Sequence, residues 1–459
     1  MGKREHGLMS QTLSTGLKRI GTLAPDANAI SKGSCWMLGC ETLDRDFADF
    51  QQYKKYIPAL GIPLIRLQAG WAKTEKTPGV YDFAWLDRIV DDAMGLGLHC
   101  LLETDYGNPI YEGGGGYDLG SGFPKSEIAL KAWDAWVAAL VEHFKDRVQD
   151  WSIWNEPDWQ QGIIPQDIAH FNIRTAAVIR QHQPDARIAG LSLSRPDQLG
   201  WFEWSLKTLR ETDTEDWFDS YIYHSYHYNP DDGTEDGVRL KLLMKRFGFK
   251  GRIRQGESGC PSEATEKFAL NGYPWSELTQ AKWDLRRYIG DFCDGVPSNV
   301  FTICDFNHIG RQINRKGLLM ADENHQVIRP KLVYWAIRNM TTLFNDGLEI
   351  LPGGCTARYV NRTQAFAMER KTDQARQVVY WDRSGIPGEG NFTGHADVVT
   401  FGFHLKACVV IDPLSGAVYE FPKEQICECA GRTLYLDAPC GDSPLVLADR
   451  MMIELAKSE

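Results

Sequence analysis

Short apolar runs alternate with longer stretches of helical periodicity from Trp36 to about Leu343. The apolar runs read CWMLG, IPLIRLQ, LHCLLET, VQDWSIWN, ARIAGLSL, FDSYIYH, RIRQGE and NVFTICDF. Between them lie segments such as LKAWDAWVAALVEHFKDR, in which apolar residues recur every three or four positions. Eight strands with intervening helices in roughly 270 residues predict an α/β protein that folds as a (β/α)8 barrel, or TIM barrel.

A doubly wound open sheet is the alternative fold for this alternation. It usually requires a glycine-rich turn after its first strand, and no such turn follows CWMLG. The glycine-rich run YEGGGGYDLGSG, residues 111–122, follows the third strand and does not match the GxGxxG pattern. We expect this run to form a flexible loop at the mouth of the barrel, with a solvent loop of no function as the alternative.

The pattern changes after the helical segment RPKLVYWAIRNMTTLFN. From about Gly347 onward, short alternating segments such as RQVVYWD, DVVTFGF and KACVVIDP are broken by Gly, Pro, Asn and Asp. We therefore predict an N-terminal extension at residues 1–34, a barrel at 35–345 and a small all-β sandwich at 346–459. No long Pro/Ser linker separates the last two parts, so the sandwich should pack tightly against the barrel.

The charge and the cysteines of the chain limit its partners and its compartment. A formal net charge of −11 and a pI near 5.6 argue against a nucleic-acid partner. The sequence shows no signal-peptide core and no apolar run of about 18 residues, so we expect no membrane partner. Eleven cysteines without a repeated spacing are typical of reduced thiols and predict a cytoplasmic protein. The sequence leaves a homo-oligomer open.

The fourth strand ends in the sequence WSIWNEP, which presents Glu156 directly after apolar residues. In a barrel, side chains at the C-terminal ends of the strands surround the active site, so a carboxylate that closes a strand is placed to react. Pro157 predicts an extended backbone at Glu156, and Asn155 offers a neighbouring amide. The alternative is a glutamate that caps the next helix or faces solvent.

The seventh strand ends in RIRQGESG, which presents a second carboxylate, Glu257. The glycines on both sides allow a sharp turn and the close approach of a ligand. The separation of Glu156 and Glu257 along the chain corresponds to about three βα units. We therefore expect the two carboxylates to face each other across the barrel mouth.

Two carboxyl groups that face each other over a cleft are what acid-assisted cleavage of a glycosidic bond requires. A protonated carboxyl donates a proton to the leaving oxygen, while an ionised carboxylate attacks the anomeric carbon. At a separation of about 5–5.5 Å the second group acts as a nucleophile and the configuration is retained. This chemistry needs no metal ion and no other cofactor, and its partner is a carbohydrate substrate.

WNEP at the end of strand four and GES at the end of strand seven resemble the retaining (β/α)8 glycoside hydrolases of clan A. The resemblance extends over most of residues 35–345. It implies that Glu156 is the acid/base and Glu257 the nucleophile. It further implies that Asn155 holds the 2-hydroxyl of the sugar, and that Arg66 in IPLIRLQ orients the nucleophile.

The sequence YHSYHY looks like the His-x-Tyr of strand six in the same clan, which places His224 and Tyr226 beside Glu257. A structural ion pair is the alternative for Arg66, and an ordinary core imidazole is the alternative for His224. His227 lies three positions after His224 and points to the opposite face of the strand, so we expect no metal site there.

A barrel followed by a small β-sandwich, and the segment GVYDFAWLDRIVDDAMGLGLHCLL, look most like family 39 and its neighbours. Many clan members carry a tryptophan at the end of strand eight as a sugar platform, whereas this strand reads VFTICDFN. Because aromatic faces stack on sugar rings, we expect the platform to come from Phe306, Trp71, Trp159 or Trp201. Further candidate contacts are Tyr106, Asn108 and Glu41.

These features are interpreted as a retaining glycoside hydrolase, an exo-acting β-glycosidase that cleaves a terminal bond of a short oligosaccharide or glycoside. The exo preference follows only from the expected cytoplasmic location, where polymers are scarce. An endo-acting glycanase on a polysaccharide is the alternative among enzymes. A non-catalytic carbohydrate-binding barrel is the alternative from another class, and the presence of both glutamates disfavours it.

Overall fold

Eight parallel strands close into a barrel in the computed structural model, which describes residues 15–26, 29–33, 35–195, 199–307, 313–358, 362–390 and 394–457. In chain order the barrel strands are β1 (Trp36–Gly39), β2 (Leu64–Gln68), β3 (His99–Thr104), β4 (Asp150–Ile153), β5 (Arg187–Leu193), β6 (Ser220–His224), β7 (Arg252–Ser258) and β8 (Ser298–Val300). Each strand pairs with its neighbours in the sequence, and β8 pairs with β1 to close the barrel. The predicted TIM barrel is confirmed.

A helix follows each barrel strand. These helices are α1 (Phe50–Tyr53), α2 (Ala84–Gly95), α3 (Glu127–Phe144), α4 (Pro165–His182), α5 (Leu199–Glu211), α6 (Pro230–Phe247), α7 (Glu277–Cys293) and α8 (Leu332–Leu343). Two further short helices, Ala29–Lys32 and Trp71–Thr74, lie before β1 and after β2. In α3, the Ser126 hydroxyl accepts a hydrogen bond from the Ala129 amide at 3.0 Å and so caps the first turn. Trp133, Trp136 and Leu140, spaced three and four positions apart, are buried on one face of this helix. The helices thus cover the outside of the barrel, and strand residues such as Ile65, Leu102 and Ile188 are fully buried.

The chain after β8 departs from the prediction. NVFTICDF predicts one continuous strand, but β8 ends at Val300. Two short hairpins follow, in which Phe306–Asn307 pairs with Ile313–Asn314 and Leu319–Ala321 pairs with Val327–Pro330. These hairpins bring residues to the barrel mouth that do not belong to any strand of the barrel.

The C-terminal region folds into two antiparallel sheets, as its alternating pattern predicts. One sheet has the strand order Arg19–Thr22, Ala417–Glu420, Val409–Ile411, Leu445–Ala448, Arg376–Asp382, Thr363–Arg370 and Leu348–Leu351. The other has the order Cys355–Arg358, Gly394–Phe401, Arg432–Cys440 and Ile426–Cys429. The strand Arg19–Thr22 comes from the N-terminal extension, whose first fourteen residues lie outside the described part of the chain.

Buried polar contacts hold the sandwich against α6 and α7. The Trp381 indole donates from Nε1 to Asp231 Oδ1 at 2.8 Å. The Lys282 ammonium donates to Asp442 Oδ1 at 2.8 Å, and the Lys282 side chain is 0% exposed. A lysine buried so completely requires a partner of opposite charge, so this contact fixes one part on the other. The sandwich therefore packs tightly against the barrel, as the missing linker predicts.

Two further features concern the environment of the chain. All eleven cysteines lie in the described ranges and are free thiols. Within the same ranges, no helix combines the length and the apolar character that crossing a membrane requires.

Candidate active site

A cavity of about 530 Å³ opens at the C-terminal ends of the barrel strands. Both candidate catalytic glutamates, Glu156 and Glu257, border it. Its size falls in the range of pockets that bind small molecules. Leu119 also borders the cavity, so the glycine-rich run of residues 111–122 reaches the barrel mouth, as the sequence predicts.

Glu156 lies in a turn that the sequence does not predict. Its φ and ψ are 48° and 54°, in the left-handed region, whereas Pro157 predicts an extended backbone. That prediction is wrong because local hydrogen bonds decide the conformation: the Glu156 amide donates to the Ser192 carbonyl at 3.1 Å, and the Trp159 amide donates to the Glu156 carbonyl at 3.2 Å. A side chain held in this region costs about 1–2 kcal/mol. The surrounding chain therefore holds Glu156 in a strained backbone conformation, and this conformation sets the direction of its side chain.

Glu257 lies near the end of β7, and both of its carboxylate oxygens accept hydrogen bonds. Tyr226 donates from its hydroxyl to Oε1 at 2.6 Å, and Arg66 donates from Nη1 to Oε2 at 3.1 Å. The Glu257 side chain is 14% exposed, so one face of it remains open to the cavity. Donors of this kind hold an ionised carboxylate in one orientation.

The two glutamates face each other, with His224 between them. One carboxylate oxygen of Glu156, one of Glu257 and a ring nitrogen of His224 all lie within 4.8 Å of one another. Nδ1 of His224 is 2.9 Å from Glu156 Oε1 and 3.6 Å from Glu257 Oε2. The spacing of these three side chains also suits a metal ion, but the Arg66 guanidinium beside Glu257 opposes the binding of a cation.

Arg66 in β2 lies beneath the glutamates and is completely buried. It donates to Glu103 at 2.8 Å, to Glu41 at 3.0 Å and to Glu257 at 3.1 Å. Its Nη2 also donates to Asn155 Oδ1 at 2.6 Å. A guanidinium shared by three carboxylates is fixed in position and fixes them in turn. These contacts favour the prediction that Arg66 orients Glu257.

The surroundings shift the pKa values of the two glutamates in opposite directions. Burial raises the pKa of Glu156, and the charge of Glu257 adds to this effect, although the hydrogen bond with His224 acts against it. Burial also raises the pKa of Glu257, but His224, Arg66 and Tyr226 together outweigh burial, so that its pKa lies below the usual value. One carboxyl is thus favoured as an acid and the other as an anion.

Three comparisons with known proteins place this geometry in context. No model of a protein family and no curated protein matches the sequence. A family 39 glycoside hydrolase from the gut symbiont Bacteroides cellulosilyticus WH2 matches with a TM-score of 0.69 and 15% identity, over 93% of this chain and 83% of that chain. A monomeric beta-xylosidase from Caulobacter crescentus CB15 matches with a TM-score of 0.61 and 15% identity, over 94% and 97%. A family 51 alpha-L-arabinofuranosidase from Bifidobacterium longum matches with a TM-score of 0.53 and 15% identity, over 95% and 98%.

The chain has the fold of the clan A glycoside hydrolases. The resemblance drawn from WNEP and GES, nearest to family 39, is confirmed at the level of the fold. Identities near 15% show the fold alone.

Most of the predicted contact residues border the cavity. Trp159 is 55% exposed at the rim, and the Arg195 guanidinium lies over its ring, 4.8 Å from the ring centroid. The Asn155 amide donates from Nδ2 to the Tyr106 hydroxyl at 2.9 Å. Burial raises the pKa of Glu41 to about 7, against the effect of Arg66. The predicted contacts that border the cavity are Glu41, Tyr106, Asn155, Trp159, Tyr226 and Phe306.

Three other predicted contacts lie away from the cavity. Trp71 is fully buried, stacks against Trp136 and donates to the Glu75 carboxylate. Asn108 donates to the Glu75 carbonyl at 2.8 Å and so supports a loop. Trp201 on α5 packs against the apolar core. None of these three residues borders the cavity, because core packing or loop hydrogen bonds engage their side chains, and a sugar contact by any of them stays a prediction.

Several residues of the cavity were not among the sequence candidates. Phe301 follows β8 directly, borders the cavity and lies with its ring 6.0 Å from that of Phe306. Gln68 donates a hydrogen bond to the Tyr106 hydroxyl at 3.2 Å. Because Gln68 is the last residue of β2, its place at the barrel mouth can be inferred from the sequence. Lys316 comes from the region after β8, and burial lowers its pKa to about 8. No sequence pattern points to Lys316, since it lies outside the barrel strands.

Proposed function

We propose that this chain is a retaining glycoside hydrolase. In the first step, a carboxylate oxygen of Glu257 attacks the anomeric carbon and forms an ester bond as the glycosidic C–O bond breaks. Glu156 donates its proton to the leaving oxygen. In the second step, water attacks the anomeric carbon and gives a proton to Glu156, while the bond to Glu257 breaks. Two displacements at the same carbon retain its configuration.

The spacing of the two glutamates carries this proposal. One carboxylate oxygen of Glu156 lies within 4.8 Å of one of Glu257, which supports their acting on a single anomeric carbon. Inverting enzymes separate their carboxyl groups by about 6.5–9.5 Å, to leave room for an attacking water, whereas retaining enzymes use about 5–5.5 Å. The opposite pKa shifts support the same assignment, because the proposed acid has the raised pKa and the proposed nucleophile the lowered one.

We further propose an exo-acting β-glycosidase that cleaves terminal bonds of short oligosaccharides or glycosides. A cavity of about 530 Å³, the size of a small-molecule pocket, supports this choice, and an endo-acting glycanase is the alternative. Two solved structures of similar fold are named as a beta-xylosidase and an alpha-L-arabinofuranosidase, so pentosides belong in the first set of test substrates.

The configuration of the first product tests the proposed function. A set of 4-nitrophenyl β-glycosides, extended by the α-L-arabinofuranoside, identifies a substrate, and proton NMR follows the sugar that is released. We expect the anomer of the substrate to appear before mutarotation. The opposite anomer contradicts the retaining mechanism, and no turnover of any activated glycoside supports the non-catalytic barrel. On a polysaccharide, an exo enzyme releases single units from the start, whereas an endo enzyme releases long fragments.

The pKa shifts predict a bell-shaped dependence of kcat/KM on pH. Glu257 has to be ionised, and its lowered pKa puts the acid limb below the ordinary glutamate value of about 4.3. Glu156 has to be protonated, and its raised pKa puts the basic limb above that value. In Glu156→Gln, the basic limb should vanish from the residual turnover of an activated aryl glycoside. If the pH profile of Glu156→Gln keeps the basic limb at the wild-type pH, Glu156 is not the proton donor.

A further inference from the structure

A second cavity, of about 510 Å³, lies at the opposite end of the barrel from the candidate active site. It opens where the barrel strands begin, since it is bordered by the first residues of β2 to β7: Leu64, His99, Asp150, Arg187, Ser220 and Arg252. Active sites of (β/α)8 barrels lie at the C-terminal ends of the strands. This second cavity is therefore separate from the proposed glycosidase site.

Arg254 brings to this cavity a cationic side chain that forms no ion pair of its own within the described part of the chain. Its side chain borders the cavity, and its Nη1 is shielded from solvent without a hydrogen-bond partner in the described part of the chain. Burial lowers the pKa of Arg254, and the charges of Arg252 and Arg187 lower it further, against the opposing effect of Asp150. Arg254 is half-buried, and a shielded guanidinium nitrogen without a hydrogen-bond partner costs free energy that an anion bound in the cavity recovers.

The two carboxylates that border the cavity are engaged with other arginines. Asp150 accepts two hydrogen bonds from Arg187, at 2.8 and 2.6 Å. Asp219 accepts from the Ile188 amide at 2.8 Å and from Arg180 at 3.3 Å. The two arginines that β7 contributes to the cavity take no part in these pairs. Neither Arg252 nor Arg254 forms an ion pair of its own with the described residues, and Arg254 shares the attraction of Asp150 with Arg187.

We propose that this cavity binds a small anion that carries a phosphate group. Arg252 and Arg254 lie two positions apart on β7, so their side chains extend to the same face of the strand. Each guanidinium offers a planar fork of donors that matches two phosphate oxygens. The cavity has room for a phosphate ester of a small molecule as well as for inorganic phosphate. The beginnings of the strands come together only in the folded chain, so the anion binds the folded state and not the unfolded state. Its binding therefore stabilises the fold.

Thermal unfolding of the full chain in sodium phosphate tests this proposal, with the ionic strength held constant by sodium chloride. We expect the unfolding midpoint of the wild type to rise with the phosphate concentration. Arg254→Met and Arg252→Met should each weaken phosphate binding at least about tenfold in titration calorimetry, because each removes charge-assisted hydrogen bonds. Arg88→Met is the matched control, since Arg88 is exposed on α2 and does not border the cavity.

The outcomes distinguish a built site from a general effect of salt. A wild type that shows neither a shift nor heat of binding at millimolar phosphate overturns the proposal. Equal shifts in the wild type, the control and both variants overturn it as well. Should Arg254→Met fail to fold, Arg252→Met decides, because Arg252 is exposed and its replacement leaves the core intact.

The source of the phosphate group is settled with three probes: inorganic phosphate, glucose 6-phosphate and glucose. If glucose 6-phosphate binds more tightly than inorganic phosphate, the proposal holds and the ligand is an organic phosphate ester. If glucose 6-phosphate binds equally or more weakly, the proposal holds and the ligand is inorganic phosphate. Binding of glucose with the same affinity as the ester overturns it, because the arginines then contribute nothing. Activity on glycosides is independent of these results, since the candidate active site lies at the other end of the barrel.

Discussion

Replacement of Glu257 by alanine should reduce kcat for every glycoside by about 10⁴-fold or more, because it removes the group that we propose as the nucleophile. Alanine leaves a space where the carboxylate accepts hydrogen bonds from Tyr226 and Arg66. Azide is small enough to enter this space and to act as the nucleophile. We therefore expect azide to restore the turnover of an aryl glycoside and to yield a glycosyl azide of inverted configuration.

Release of nitrophenol measures the rescue, and proton NMR of the product measures the configuration. Glu266→Ala is the matched control, since Glu266 is an exposed glutamate in the segment that follows β7. It should keep the wild-type rate and show no response to azide. A folded Glu257→Ala variant that retains activity, or that azide does not rescue, rules out Glu257 as the nucleophile.

The positions of both glutamates could be predicted from the sequence because barrel geometry leaves little freedom at a strand end. Apolar runs locate the strands, parallel strands all end at the same rim, and a carboxylate that closes a strand therefore faces the cavity. The same reasoning places Arg66, since a charge within an apolar strand requires partners inside the barrel. It also identifies Gln68, which closes β2.

The loops could not be predicted in the same way. Periodicity carries no information about where a chain turns after a strand, so β8 ends at Val300 and Phe301, in addition to the predicted Phe306, borders the cavity. The sequence makes Trp71 a candidate to stack on a sugar ring, but in the structure its ring packs against Trp133 and Trp136. Contacts between residues far apart in the chain decide such cases, and a single sequence does not disclose them.

Replacement of Glu156 by alanine should separate substrates by their leaving groups. Glycosides with alkyl or sugar leaving groups need the proton that Glu156 supplies, so we expect their turnover to fall by about 10²–10⁴-fold. A 2,4-dinitrophenyl glycoside needs no such proton, so its first step should remain fast and give a burst of nitrophenolate. The second step then lacks its base, and the ester with Glu257 should accumulate and be detectable by mass spectrometry of the intact chain.

Glu211→Ala is the matched control for this variant, because Glu211 is an exposed glutamate at the end of α5. Glu211→Ala should turn over activated and natural substrates at the wild-type rates. Equal losses of Glu156→Ala on activated and natural substrates, without a burst, would mean that Glu156 supports the fold of the site and transfers no proton.

Azide distinguishes the two glutamates by the configuration of the product. In Glu156→Ala, Glu257 still forms the ester from one face of the sugar, and azide then attacks from the face that alanine has opened. Two displacements give a glycosyl azide of retained configuration, whereas the single displacement in Glu257→Ala gives the inverted one. The two carboxylates lie within 4.8 Å of each other, so the same anion enters the same cavity in both variants and only the face of attack differs. If the roles of the two glutamates are exchanged, the two configurations are exchanged as well.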